Sequence, residues 1–470
     1  MTDAATPLPE PSAVREAMAY YDRWLDFRQR YLRVPGVQVA VLVDTDIALS
    51  AAYGHADIES GTALTTSSLF RVASHSKTFT STAVFQLAEQ GALRLDDRAG
   101  DWVAGLGGSP LAQVTVRELL AHSAGVVRDG PDGDHWQLRH DFPDHDRLRA
   151  IVSSSGVSIL ERNDRFKYSN IGYGLLGLVL EAASGLSYDE LLRRNVIEPL
   201  ELLDTGSEFD PDRAGDYATG YSALAYADAR VPIDHVDTHA LASATGFYAT
   251  ASDLVTYFSA HFMGDDRLLT DASKRQMQHP VWDTHHNGRR YAHGLAVTVI
   301  GERAMIGHGG GYPGHITTSY ADPRGRVAVS VLTNAIDGPS EPLAQAGVRL
   351  LDLAATDERD NGPDLERFTG RFATLWGVFD VAALGGHLYL INPTAEDPTE
   401  DVTRLEVVDE STLRIVETPG YASYGELVVY DFNPDGDVRG VRGPSATTAT
   451  PIDDFVLPHR VRAPRHTAAS

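Results

Sequence analysis

Phe70-Arg-Val-Ala-Ser-His-Ser-Lys-Thr78 is the stretch on which the reading of this chain turns. It sets Ser74 three residues before Lys77, immediately ahead of Phe79, Ala83, Val84, Leu87 and Ala88, which recur at helical spacing toward Gly91, a C-cap residue. Residues three apart on a helix share a face, so the two side chains meet. The helix N-terminus favours negative charge developing at the serine. A serine hydroxyl needs a neighbouring base to act as a nucleophile, and a lysine stripped of water and proton is such a base. By itself the spacing also fits an N-capping serine beside a solvated lysine.

Basic residue usage bears on that choice. The chain holds only three lysines, Lys77, Lys167 and Lys274, and every other basic side chain apart from histidine is arginine. Arginine cannot give up its proton in a protein, whereas a lysine in the right surroundings does. A lysine at 77 in an arginine-using chain fits an amine that has to lose its proton; chance placement of three lysines is the alternative.

Two further segments carry chemistry. Tyr168-Ser-Asn170 precedes an apolar helix from Ile171 to Ala183 that ends at Gly185; a tyrosine hydroxyl relays protons, and an asparagine orients a lysine and a substrate carbonyl. Ile306-Gly-His308-Gly-Gly310-Gly311 leads toward Ile316; glycines there admit a substrate backbone to a strand edge, and the Gly311 N–H joins that of Ser74 as the expected oxyanion hole. A packed tyrosine with a turn asparagine, and a plain glycine loop, are the bland alternatives.

Around these motifs the chain reads as follows. Residues 10–32 form an amphipathic helix, with Ala17, Tyr20, Trp24, Phe27 and Tyr31 on one face. Residues 37–43 and 47–53 flank Asp44-Thr-Asp46 as a hairpin. Thr115-Val-Arg-Glu118 is a capping box. Residues 126–147, rich in Asp, Gly, Pro and His, form a loop. Strands return at 295–300, 316–320 and 327–332, the last two joined by Asp322-Pro-Arg-Gly325, and a helix follows over 343–353. This is one α+β domain whose sheet is closed by the two ends of its chain segment. Beyond Asn361-Gly-Pro363 only short strand signals remain, about 374, 378–384, 387–392, 404–408, 412–417 and 426–432, which predict a small antiparallel β-barrel. The expected domains are residues 1–358 and 359–470.

The segments together resemble the penicillin-recognising serine hydrolases, the superfamily of class C β-lactamases, D-aminopeptidases, D-Ala-D-Ala carboxypeptidases and family VIII esterases. S-x-x-K, Y-x-N and H-x-G follow in that order. Val34-Pro-Gly-Val37, Leu69 to Lys77, Leu119-Leu-Ala-His-Ser-Ala-Gly125 and Thr245 to Asp253 look like segments typical of the group. The resemblance implies a serine β-lactamase-like domain, an antiparallel sheet flanked by helices with an all-helical subdomain, and a lipocalin-like C-terminal barrel. It implies catalytic roles for Ser74, Lys77 and Tyr168, with Lys77 as base and Tyr168 assisting it or serving as the main base. Asn170, His308, Gly310 and Gly311 are the substrate-binding residues it implies. The third motif departs from the Lys-Thr-Gly of β-lactamases: the permanent cation that grips a substrate carboxylate is a histidine here. A D-aminopeptidase-like peptidase or carboxylesterase is therefore expected. A class C-like β-lactamase or D-Ala-D-Ala carboxypeptidase, and a non-catalytic scaffold on the same fold, are the alternatives.

Composition bounds the partners. A net charge of −25, from 65 acidic and 40 basic residues, disfavours nucleic acid and anionic membranes. The absence of cysteine excludes disulfides and thiolate chemistry. Residues 1–26 carry no apolar run of a signal or a span, so a cytoplasmic location is the expectation. Neither cofactor nor metal is expected; His135, His140 and His145 lie among aspartates without a familiar zinc spacing. A small peptide, amide or ester is the expected partner, and the barrel offers a contact for a homo-oligomer. Ala121-His-Ser123-Ala-Gly125 mimics a nucleophile elbow, but a capped helix precedes it where an elbow needs a strand.

Overall fold

The structure is a computed structural model that describes residues 8–355, 364–419, 423–443 and 446–457. It divides into two compact units. One comprises Leu32–Val348; the other joins Pro9–Tyr31 to the chain from Arg349 onward.

The first unit is built on a nine-stranded sheet. From edge to edge its strands are 62–63, 46–57, 36–43, 327–333, 315–322, 303–312, 296–300, 289–291 and 282–286. Every neighbouring pair is antiparallel. Gly36–Val43 pairs with Val327–Thr333 in the middle of the sheet, so early and late segments close it, as expected. The strands Gly36–Val43 and Val327–Thr333 are mostly apolar and almost wholly buried because both faces are covered. Ala251–Ser259 packs on the central strands. The helix Ser76–Glu89 is buried along most of its length, and Asn170–Ser184 is buried from Asn170 to Leu180. Gly185 ends the latter in the left-handed conformation at φ 71°, where a Cβ would be strained. No single helix among the described residues is long and apolar enough to cross a membrane.

Several expectations differ from the structure. The glycine segment, read as lying at a strand edge with a loop as the alternative, is itself part of a ten-residue strand, Arg303–Tyr312, that the strand signals do not include. Trp282–His286 and Arg289–Tyr291 form a hairpin without an alternating apolar signal, because it is an exposed sheet edge. The loop over 126–147 ends earlier than expected: Asp144 caps a helix that begins at His145.

In the second unit eight antiparallel strands close into a barrel spanning Gly370–Thr374 to Thr448–Pro451. Its interior is filled by Phe372, Val381, Leu413, Tyr430 and neighbouring apolar side chains. Two strands, Val438–Arg442 and Thr448–Pro451, carry too few apolar residues to be read from sequence. The helix Pro11–Tyr31 belongs with this barrel, which differs from the expected division at 358/359. Its Trp24 indole donates to the Pro393 carbonyl at 3.1 Å and its Tyr20 hydroxyl to Asp380 at 3.0 Å, while Arg371 stacks on Phe27 at 4.2 Å. The apolar stripe legible in the sequence is thus the barrel-facing one. The expected boundary and the composition change at Asn361-Gly-Pro363 lie outside the described residues.

Candidate active site

The strand Phe70–Arg71, paired with Tyr248–Ala249, runs into a tight turn at Ala73–His75 and then into the buried helix Ser76–Glu89. Ala73 sits at φ 46°, a conformation that costs a non-glycine residue about 1 kcal/mol or more and that sets Ser74 at the turn's crest. Side chains hold the turn. His75 donates from Nδ1 to the Val72 carbonyl at 2.9 Å and accepts at Nε2 from the Ser319 hydroxyl at 2.9 Å. Ser76 donates to the Ala73 carbonyl at 2.6 Å and accepts from the Phe247 N–H at 3.1 Å. Ser74 thus lies in a turn ahead of the helix, one step earlier than the spacing implies, and stays half-exposed.

Lys77 is fully buried. Its Nζ lies 3.2 Å from Ser74 Oγ, 2.8 Å from Asn170 Oδ1 and 2.8 Å from the Ala244 carbonyl. Two of these partners accept only; the third is the candidate nucleophile. The Tyr168 hydroxyl donates to Ser74 Oγ at 2.8 Å. The Lys77 amine also rides over the rings of Tyr168 at 4.7 Å and Tyr173 at 5.5 Å. Burial pushes the Lys77 pKa well below the ordinary lysine value; Asp129 opposes that shift and Arg128 adds to it. Burial raises the Tyr168 pKa, with the Ser74 contact pulling the other way. A neutral amine and a neutral phenol are the forms this site favours.

The third motif behaves unlike a cation. His308 is buried, with Nδ1 donating to the Gly309 carbonyl at 2.7 Å. That fixes Nε2 as an acceptor, and the Tyr291 hydroxyl lies 3.2 Å from it. Burial and the nearby Lys77 hold its pKa down to about 3. Both ring nitrogens are engaged inside the protein.

Ala296 opposite Gly307 is the last pairing of the 303–312 strand on one side; from His308 to Tyr312 it pairs only with 315–319. That bare edge borders a cavity of about 950 Å³ that also reaches Ser74, Tyr168 and Asn170, with Trp136, Phe166 and Tyr291 as aromatic walls. A Cβ on Gly310 would fall 2.2 Å from the Val72 carbonyl oxygen and 2.4 Å from Thr317 Oγ1, so only glycine lets the strand lie against the nucleophile turn. A Cβ on Gly311 would meet nothing nearer than Ile316 at 3.7 Å. Ser74, Tyr168, Asn170, His308, Gly310 and Gly311 therefore share one cavity, with Lys77 beneath it.

Sequence reading missed several residues here. Asp129 accepts from Asn170 Nδ2 at 2.6 Å and from the Trp136 indole at 2.9 Å, and pairs with Arg128 at 3.2 Å. His122 accepts at Nδ1 from the Ser169 N–H at 3.1 Å and packs against Tyr168 with ring centres 4.3 Å apart. Its place in the L-L-x-H segment was the available signal. Ser123, the elbow mimic, is buried and donates to the Glu118 carbonyl at 3.3 Å. His140 pairs with Asp132 and His145 with Glu181, while both ring nitrogens of buried His135 have no hydrogen-bond partner. Among the described residues no group of three or more His, Asp or Glu side chains is placed to hold a metal ion.

The family model described as Beta-lactamase matches residues 12–353. The chain belongs to the beta-lactamase family. The match spans the turn, the buried lysine and the glycine strand. Penicillin-binding protein 4* of Bacillus subtilis is 28% identical over 58% of this chain and 62% of its own length. Penicillin-binding protein 4 of Amycolatopsis lactamdurans is 28% identical over 67% of this chain and 85% of its own. The chain thus spans about three fifths of the Bacillus relative's length. Among solved structures, the octameric penicillin-binding protein homologue from Pyrococcus abyssi superposes with a TM-score of 0.64 at 21% identity, over 92% of this chain and 99% of that one. A D-stereospecific amidohydrolase from Streptomyces sp. does so at 0.56 and 23%, over 74% and 99%. At these identities the two structures speak to the fold.

Proposed function

We propose that this chain is a serine hydrolase, a D-aminopeptidase-like peptidase or a carboxylesterase, cleaving amide or ester bonds of small substrates through an acyl-enzyme on Ser74. The observation that carries the proposal is the fully buried Lys77 amine 3.2 Å from Ser74 Oγ, its other two contacts being acceptors. A neutral amine has two N–H donors and one lone pair. Asn170 Oδ1 and the Ala244 carbonyl take the two donors, which leaves the lone pair for the Ser74 hydroxyl proton. Ser74 Oγ in turn accepts from Tyr168, so the tyrosine enters as a donor and not as the base.

In this reading Lys77 takes the proton as Ser74 Oγ attacks the carbonyl carbon. The Ser74 and Gly311 N–H groups stabilise the oxyanion, each such donor being worth about 3 kcal/mol. Tyr168 passes its proton to the leaving amine or alkoxide and is reprotonated from Lys77. Water then attacks the acyl carbon and gives a proton to Lys77, which returns it to Ser74 Oγ as that oxygen leaves and the acid is released. The neutral, internally bonded His308 argues against a carboxylate-gripping β-lactamase or carboxypeptidase. The fold shared with an octameric homologue supports a homo-oligomer, which light scattering would detect.

Intact mass after exposure to a fluorophosphonate tests the core of the proposal. Wild type gains one adduct and Ser74→Ala gains none. Lys77→Arg, which keeps the charge and cannot act as base, loses acylation by about a thousandfold or more. An adduct persisting in Ser74→Ala, or near-native labelling of Lys77→Arg, would overturn it. Hydrolysis of D-aminoacyl amides against short-chain esters then separates peptidase from esterase.

A further inference from the structure

We infer that Asp129 is a positioning residue for the reaction: it fixes which way the Asn170 amide faces and so aims the Lys77 lone pair at Ser74. The inference rests on the Ser74–Lys77 reading above and extends it to a residue outside the three motifs.

An asparagine amide has two nearly isosteric ends, one accepting and one donating. If Asn170 turned its NH₂ toward Lys77, that group would donate to the lysine lone pair. The lone pair would then be unable to take the Ser74 proton. The correct orientation needs a neighbour that only accepts, placed on the far side of the amide. Asp129 supplies it: its carboxylate oxygen lies 2.6 Å from Asn170 Nδ2. A carboxylate offers no donor, so the flipped amide would set two acceptors face to face. The carboxylate is itself held. The same oxygen accepts from the Trp136 indole at 2.9 Å, and the other pairs with Arg128 at 3.2 Å. Asn170 is nearly fully buried, with its two amide ends taken up by Lys77 and Asp129. Donation converges on Asp129, from the Trp136 indole on one side and from Lys77 through Asn170 on the other.

Asp129 also acts by charge. The groups facing Lys77 are Ser74, Asn170, Tyr168, Tyr173, His122 and His308, with Arg128 and Asp129 from the loop. Of these, Asp129 is the anion that favours protonated Lys77. Losing it lowers the pKa of Lys77. A flipped Asn170 does the same by withdrawing an acceptor from the ammonium form. Both effects move the acidic limb of a pH–rate profile toward lower pH, which loss of packing alone would not do.

The test measures the rate of fluorophosphonate labelling of the full chain from pH 5 to 10. Asp129→Asn, isosteric with the native residue, restores the ambiguity of the amide. We expect its plateau rate to fall about tenfold or more, with the acidic midpoint displaced to lower pH. Asp129→Glu keeps an acceptor-only anion and is expected to hold the wild-type midpoint. In an Asn170→Ala background Asp129→Asn is expected to add nothing to the loss of rate, because the aspartate acts through that amide. Wild-type rate and midpoint in Asp129→Asn would overturn the inference, and so would an equal slowing with Asn170 absent. Should Asp129→Asn not fold, a downshifted midpoint in Asp129→Glu overturns it alone. Labelling that survives in Ser74→Ala would instead bring down the hydrolase reading, a separate outcome.

Discussion

At the scale of single residues, the glycines of the third motif are not interchangeable. Gly310 lies against backbone, whereas Gly311 has room for a methyl group in ordinary contact with Ile316. Gly310→Ala forces the strand off the nucleophile turn, with overpacking expected to cost about 1–3 kcal/mol. We expect a lower melting temperature and loss of fluorophosphonate labelling. Gly311→Ala is expected to melt as wild type does and to keep labelling, while turning over bulky acyl groups more slowly. Thermal melts and labelling of the two variants side by side check the contrast. The same scale explains what the sequence made legible. Ser74 and Lys77 are bound by a three-residue spacing, and Tyr168 and Asn170 by a helix start, so local pattern places them. Asp129, Trp136 and Tyr291 reach the site from a loop and an edge hairpin, where no period marks a residue as inward-facing. His308 was legible as a residue, and its role was not: its neutrality follows from burial and from the nearby Lys77, which only the fold supplies.

At the scale of elements, the site depends on a turn under strain being clamped to a sheet. Ala73 at φ 46° is held between His75, which bridges Val72 to Ser319, and Ser76, which bridges Ala73 to Phe247. His75→Phe keeps the ring and deletes both bridges, leaving a buried Val72 carbonyl without this partner, a loss of about 2 kcal/mol. We expect the variant to fold, to melt lower, and to label with fluorophosphonate about tenfold more slowly, since the turn no longer presents Ser74 in one orientation. Labelling at the native rate would show the turn to be self-supporting. The elements read correctly from sequence are those with strong periodicity or punctuation: the buried helices, the central strands, the capping box at Thr115, whose hydroxyl does accept from the Glu118 N–H. The strand at 303–312 escaped because glycines that make it fit the turn also erase its apolar alternation. The edge hairpin 282–291 escaped because it is solvent-facing and polar.

At the scale of the whole chain, the first unit stores neutral histidines. Burial holds the pKa of His75 and His293 down to about 4 and that of His261 and His308 down to about 3; it pushes His122 and His315 well below the usual value. The consequence for stability has a definite sign. In the unfolded chain these rings titrate near pH 6.5, and in the folded unit they resist protonation. Above pH 6.5 both states are neutral and the contribution is complete. As pH falls below that value the unfolded state gains protons first, and stability is lost until the folded pKa values are reached, between about 4 and 3. Each histidine costs on the order of 1 kcal/mol by pH 5.5. Several together reach a large share of the roughly 5–15 kcal/mol that holds a domain folded. Differential scanning calorimetry at fixed ionic strength is expected to show the transition that contains the active site falling steadily from pH 7 to pH 5, with fluorophosphonate labelling lost in the same transition. His261→Gln, distant in role from the nucleophile, is expected to flatten that slope by one titrating group while labelling at neutral pH persists. A melting temperature unchanged between pH 7 and pH 5 would mean that these rings accept protons in the folded unit, and their burial would then have to be relieved by local opening.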